Sequence, residues 1–124
     1  MGYRSTVSIF LEEPKDMKLE DIISSSRKAE NYGKFTIGTN SDNKRVLLAI
    51  FNYCKWYPDY ALVNFWEDIL SNVDEDTYLF TRVGEDYGDY ETHGNYGYSY
   101  ATTITEFDID FNGDIPEHIG YNIN

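Results

Sequence analysis

The sequence predicts an α+β fold: a ferredoxin-like two-layer sandwich, with an antiparallel sheet, two helices on one face and an added C-terminal hairpin. The prediction rests on the order strand, helix, strand, strand, helix, strand, read from changes of hydrophobic period along residues 3–83. Two stretches carry most of it. In residues 45–51, Val46, Leu48 and Ile50 alternate with Leu47, Ala49 and Phe51, so both faces are apolar, as a central strand covered on two sides requires. Beyond Pro58, Leu62, Phe65, Trp66, Ile69, Leu70 and Val73 recur at helical spacing, while Asp59, Asn64, Glu67, Asp68, Ser71 and Asn72 fill the other side. The proline pushes Tyr57 toward extended geometry and itself has the φ of a first helical turn, which places the second helix directly after it.

The remaining elements follow in order. Residues 3–11 read as a first strand, alternating Tyr3, Ser5, Val7 and Ile9 with Arg4, Thr6, Ser8 and Phe10. Asp16 is the expected N-cap of a helix over 17–30, with the stripe Leu19, Ile22, Ile23 and Ser26, and with Glu20 and Asp21 in its first turn. Asn31 and Gly33 end it. Residues 34–39 form a short strand, and the polar loop 39–43 leads into the central strand. An acidic turn at Asp74, Glu75 and Asp76 precedes a strand over 77–83, with Tyr78, Phe80 and Arg82 on one face and Leu79 and Val83 on the other. Residues 84–99 lack an apolar period and are rich in glycine, tyrosine and carboxylates; a long exposed loop or ragged hairpin tip is expected. Residues 100–111 read as a strand. Asn112-Gly113 suits a type I′ turn, and Pro116 confines the return over 114–121 to an edge.

At 124 residues the chain makes a single domain, 1–124, large enough for one core without covalent staples. The lone Cys54 has no internal disulfide partner and fits a small buried hydrophobe in a reducing compartment. The sequence has neither an apolar run of ~18 residues nor the pattern of a signal peptide at its start, so a cytoplasmic location is expected. Charge is lopsided. The net of -12 divides into nine basic against seven acidic residues over 1–56, and Arg82 alone against fifteen acids over 57–124. A polyanionic half repels nucleic acid and anionic lipid and attracts basic partners, although acidity also serves plain solubility.

No motif announces catalysis. Asp108, Asp110, Asn112 and Gly113 match the first half of a calcium loop, but Ile119 stands where the bidentate glutamate belongs and strands replace the flanking helices. His93 and His118 lack partners at metal-ligand spacing. Glu85, Asp86, Asp89 and Glu91 could pair for acid–base chemistry only in a cleft that raises one pKa, and a glycine-rich segment suggests solvated carboxylates instead. No enzyme activity, cofactor or metal is therefore expected. Tyrosines interleaved with carboxylates suit a protein-binding surface: tyrosine gives rigid area with a polar tip, and spaced carboxylates imitate nucleic-acid phosphates. The candidate contact residues are Glu85, Asp86, Tyr87, Asp89, Tyr90, Glu91, Tyr96 and Tyr98, with Glu106, Asp108 and Asp110 facing outward from the following strand.

Three short segments, Met1-Gly2-Tyr3-Arg4-Ser5-Thr6-Val7, Lys55-Trp56-Tyr57-Pro58 followed by Phe65-Trp66, and Arg82-Val83-Gly84-Glu85-Asp86, resemble a group of small uncharacterised bacteriophage and prophage proteins. That group shares a start of the MGYRS type and an R-x-G-E-D/E segment. The resemblance covers most of residues 1–90 and implies an origin rather than a mechanism, because small acidic phage proteins often inhibit host defence or host nucleic-acid enzymes. The expected partner is thus a host protein with a basic nucleic-acid-binding groove, such as a CRISPR, restriction or repair complex, bound in the host cytoplasm by acidic mimicry. Direct nucleic-acid or membrane binding is not expected, and oligomeric state is left open. The alternatives are a small-ligand-binding or sequestering protein using an aromatic platform, marked by a pocket of aromatics with at least one Arg or Lys, and a structural accessory protein.

Overall fold

The computed structural model describes residues 2–40 and 42–96, together with the backbone of 104–107. Along the chain run β1 (Ser5–Glu12), α1 (Leu19–Ala29), β2 (Lys34–Asn40), β3 (Arg45–Cys54), α2 (Ala61–Ser71), a 3-10 turn (Glu75–Thr77), β4 (Tyr78–Gly84), β5 (Tyr90–His93) and β6 (Ile104–Phe107). The strands form one sheet in the order β5-β4-β1-β3-β2-β6, and every neighbouring pair is antiparallel. The inner order β4-β1-β3-β2, with a helix in each crossover, is the ferredoxin-like sandwich expected from the sequence.

Register decides which residues meet the helices. Val7 pairs with Phe51, Ile9 with Ala49 and Leu11 with Leu47, while Ile9 faces Phe80 across β4, so these side chains share one face. They pack against Leu19, Ile22 and Ile23 of α1 and Leu62, Trp66, Ile69 and Leu70 of α2. Ser26, the polar member of the α1 stripe, is buried because its hydroxyl accepts the Trp66 indole N–H at 3.0 Å, tying the two helices together. On the opposite face Val46 and Tyr96 are buried against Phe10 and Leu79. The central strand is indeed apolar on both sides because both sides are covered.

Several boundaries differ from the sequence expectation. β1 begins at Ser5, and α1 begins at Leu19 with Lys18 as its extended N-cap. Asp16 does not cap α1; the Glu13 carboxylate reaches forward instead and accepts the Leu19 N–H at 3.1 Å. α2 starts three residues beyond Pro58, because 58–60 form a turn closed by Tyr60 N–H to the Tyr57 carbonyl at 3.0 Å. Within 84–99 the hairpin alternative holds rather than the loop: Tyr90–His93 is a strand, pairing with β4 from Phe80–His93 to Val83–Tyr90. β6 falls inside the expected strand 100–111 but describes only its middle, on β2. Residues 97–103 and 108–124 lie outside the described residues, and with them Tyr98, Asp108, Asp110, His118, the Asn112-Gly113 turn and the partial calcium loop; the Glu106 side chain is likewise outside.

Tyr96 corrects a further expectation. At Gly94 φ is +92°, and a Cβ there would strike the Tyr78 carbonyl, so glycine permits the chain to swing back over β4. Tyr96 N–H then bonds the Tyr78 carbonyl at 3.0 Å, and its ring lies inward with 1% exposure, its hydroxyl taking the Asn40 side-chain N–H at 3.1 Å. Asn40 in turn accepts the backbone N–H groups of Asp42 and Lys44, at 2.9 and 3.0 Å, and so closes the β2–β3 turn. Burial pushes the Tyr96 hydroxyl up to about 12.

The helix–helix bond gives a direct test. Trp66→Phe and Ser26→Ala should each cost about 1–3 kcal/mol in urea unfolding, because each strands a buried polar partner, while the double variant costs clearly less than their sum. Additive losses would show that the indole–hydroxyl bond does not couple the helices.

Candidate functional site

Arg82 organises the far edge of the sheet. It points from β4 toward the helix layer, and its guanidinium lies 2.9 Å from Asp89 through Nη2 and 2.6 Å from Glu91 through Nε. Nη1 also donates to the Ser5 hydroxyl at 3.0 Å. Both carboxylates belong to the β4–β5 hairpin, so one cation staples the hairpin to itself and to β1. Glu91 continues the chain to His93, 3.0 Å away. Asp89 also accepts the Tyr3 hydroxyl, which itself takes the Asp86 N–H at 3.0 Å. Gly84 leaves room for this meeting: a Cβ there would collide with the Asp89 carboxylate and the Tyr3 hydroxyl. The short segments around Tyr3–Ser5 and Arg82–Asp86, far apart in the chain, thus share one polar cluster.

The electrostatics follow from that hub. Hydrogen bonds from Arg82 hold the Asp89 and Glu91 carboxyls below their ordinary values, with Tyr3 adding to the effect at Asp89 and His93 at Glu91. The bond to Asp89 raises the Tyr3 hydroxyl. A lowered carboxyl pKa is the reverse of what a general acid requires. Among the described residues no group of three or more His, Cys, Asp or Glu side chains stands close enough to hold a metal ion. No helix among them is long and apolar enough to cross a membrane.

The structure divides the sequence-predicted contact residues into three sets. Tyr87 is fully exposed and Tyr90 is 64% exposed, and Glu85 and Asp86 are exposed beside them at the hairpin tip. Asp89 and Glu91 stand on the same hairpin but are committed to Arg82. Tyr96 is withdrawn into the core of the opposite sheet face, so it cannot meet a partner. Acidic residues of α2 and of the 3-10 turn extend the exposed set: Glu67, Asp68, Asp74, Glu75 and Asp76 all lie on the surface. Arg82 is the sole cation between residues 57 and 96, so this end of the sheet is where negative charge accumulates.

Two clefts flank the cluster. One, of about 440 Å³, lies between α2 and the hairpin, with Trp56, Tyr78 and Phe80 as walls and Arg82, Glu91 and His93 at one end. Its arginine is already held by two carboxylates and a hydroxyl. The other, of about 580 Å³, opens where β3 ends, between α1 and α2, and is lined by Arg4, Tyr32, Tyr53, Lys55 and Tyr60 among others. Sequence reasoning placed the aromatic surface in the second half of the chain and missed this one. Its faint signal was Arg4 in the opening segment and the polar Asn52-Tyr53 step that ends the apolar run of β3.

Cys54 is less enclosed than the sequence suggested: it is half-buried and lines the second cleft, its thiol is 3.8 Å from the Phe51 carbonyl, and burial raises its pKa. Fold and site together define a ferredoxin-like α+β domain with an acidic, tyrosine-bearing edge. Comparison with known protein families, with curated proteins and with solved structures finds no match.

The Arg82 hub predicts how stability depends on pH. Carboxyls whose folded pKa is depressed stabilise fully above their unfolded values and lose that contribution as pH falls through the folded ones. Arg82→Met should therefore lower Tm at neutral pH, with the difference from the parent closing as pH drops below the ordinary values of 4.5 for Glu91 and 3.8 for Asp89. Thermal melts in steps from neutral pH to about pH 2 measure it. A Tm difference that stays constant across this range would mean that Arg82 acts through packing alone.

Proposed function

We propose that the protein acts by stoichiometric binding, its acidic β4–β5 edge occupying the basic nucleic-acid-binding groove of a host protein and inhibiting it. The setting is the cytoplasm of a bacterial host, and the action is that of a phage-type anti-defence inhibitor, anti-CRISPR or anti-restriction, working by nucleic-acid mimicry. The observation that carries this reading is the hairpin tip. Tyr87 and Tyr90 stand out from a strand pair that is stapled internally by Arg82, with the exposed carboxylates Glu85 and Asp86 beside them and Arg82 the sole cation between residues 57 and 96. Solvated aromatic area on a rigid mount is costly to leave exposed and is the usual material of interface anchors. The surrounding carboxylates would speed encounter with a basic surface and reject nucleic acid itself. The Arg82 bonds support the reading in a second way: a hairpin ordered before binding loses less entropy on docking.

The test is capture from bacterial lysate by the immobilised chain at low and at high salt, beside the Asp86→Asn/Tyr87→Ala variant. A nucleic-acid-binding protein should be retained by the parent at low salt, be released as salt rises, and be lost from the variant by about tenfold or more. Competition by added DNA or RNA should reproduce the loss. Retention that is indifferent to both salt and nucleic acid, or equal in the variant, would overturn the proposal.

A further inference from the structure

The cavity at the end of β3 is built differently from the acidic edge. A register shift between Ser5 and Val7 on β1, against Cys54 and Phe51 on β3, marks a bulge, and Tyr53 within it adopts φ +51°. Bulges re-aim side chains, and a bulky residue in the left-handed region persists only where its surroundings hold it. Here Thr6 does so: its hydroxyl oxygen accepts the Tyr53 N–H at 3.2 Å and its proton goes to the Asn52 side-chain oxygen at 3.2 Å. The result turns the Tyr53 ring outward, 60% exposed, with the Arg4 guanidinium 5.5 Å from its centroid and its hydroxyl 3.0 Å from Glu85.

Each aromatic wall of the cavity is fixed by a second contact. The Tyr32 hydroxyl donates to the Asn52 carbonyl while its ring tilts against Phe51 at 6.3 Å. Tyr60 meets Tyr57 edge-on at 5.2 Å. Arg4 and Lys55 line the same space, and neither joins a salt bridge to another described residue. Burial raises both the Tyr32 hydroxyl and the Cys54 thiol, and the charge of Arg4 opposes the rise at each. On the helix side stand two carboxylates, Glu30 at the end of α1 and Asp59 before α2.

From this arrangement we infer that the cavity is a binding site for a mononucleotide, a planar heteroaromatic ring carrying both an anionic phosphate and hydrogen-bond donors. The volume, about 580 Å³, lies within the ~300–1,000 Å³ of small-molecule sites. Tyrosine faces accept a flat base by stacking, without regard to which base it is. Arg4 and Lys55 supply the phosphate partners, and a guanidinium already resting on an aromatic face keeps its donor edge available. Glu30 and Asp59 can accept from ribose hydroxyls or an exocyclic amine, which inorganic phosphate cannot offer. The net charge of -12 opposes an anion at long range, but screening over ~8 Å confines that opposition, and within the cavity Arg4 and Lys55 are matched by Glu30 and Asp59, so a ligand carrying both an anion and donor groups suits the lining better than a bare anion. The cleft beside Arg82 offers no such site, because its single cation is held by two carboxylates. The inference stands apart from the proposed inhibitor function, since it uses the cations of the first half of the chain.

Isothermal titration with AMP, adenosine and inorganic phosphate, with backbone amide shifts followed by NMR, tests it. AMP should bind saturably and shift Tyr53 and Lys55, with adenosine and phosphate each weaker by about tenfold or more. Arg4→Met/Lys55→Met should weaken AMP by about tenfold or more without lowering Tm, and Tyr53→Leu provides a second variant that leaves both cations in place. No saturable AMP binding, equal binding by both variants, or shifts confined to Trp56 and His93 would overturn the inference. The Asp86→Asn/Tyr87→Ala chain separates the two readings: AMP binding retained with partner capture lost assigns the functions to different surfaces, and absence of AMP binding with capture intact removes this inference alone.

Discussion

The pairing of β1 along both of its edges is the constraint on which the rest of this molecule depends. Ser5 through Glu12 is matched to β3 on one side, and Ser5 through Leu11 to β4 on the other. Because side chains alternate with a period of two, this double register fixes Val7, Ile9 and Leu11 under the helices; a slip of one residue would turn all three to the opposite face. It also fixes what comes before. Tyr3 and Arg4 emerge at the end of the sheet where β3 bulges and β4 gives way to the hairpin, so each reaches a different neighbour. Tyr3 closes on Asp89 and on the Asp86 N–H, while Arg4 covers the Tyr53 ring. Two residues outside the strand thereby take part in the two surfaces most suited to binding.

Charge at this end of the sheet is smaller in effect than composition suggests. Of the four hairpin carboxylates, Asp89 and Glu91 are compensated by Arg82, which leaves Glu85 and Asp86 to present negative charge with the acids of α2 and the 3-10 turn. Compensation also favours the hairpin: carboxylates at positions 89 and 91 would otherwise repel one another at a short edge strand, and β5 has little apolar burial to offset that. The single basic residue of this half therefore supports the acidic display instead of cancelling it. A surface pair of this kind contributes modestly one bond at a time, but Arg82 joins Ser5, Asp89 and Glu91 at once.

Much of the fold was legible in the sequence because burial writes itself as period. The residues expected on the inner face of α1, Leu19, Ile22, Ile23 and Ser26, are the buried ones, and the doubly apolar β3 is covered on both faces. What escaped had no periodic signature. β5 is held by backbone pairing and an ion pair rather than by an apolar face, so Tyr-Glu-Thr-His reads as loop. Tyr96 is buried through the swing at Gly94 and a bond to Asn40, a contact 56 residues away that no local pattern encodes. Asp16 had the right chemistry for a cap, yet Glu13 had the reach. At the site level the hairpin tip was legible from its tyrosines and acids, whereas the cavity was not, since it needs the β3 bulge to bring Tyr53 beside Arg4.

Among the described residues the tip and the cavity are joined directly by the Tyr53 hydroxyl to Glu85 bond at 3.0 Å, and its strength bears on how far they can communicate. The bond is exposed at both ends, where water competes for donor and acceptor alike, so its net contribution is small. Reciprocal coupling carried by it is correspondingly weak. Another link runs through Tyr3 and Arg4 at the head of β1, a strand paired along both of its edges, with the bulge beside Ser5 fixed by the Thr6 bonds to Asn52 and Tyr53. A domain of this construction is suited to holding two surfaces in fixed relation, each available whether or not the other is filled.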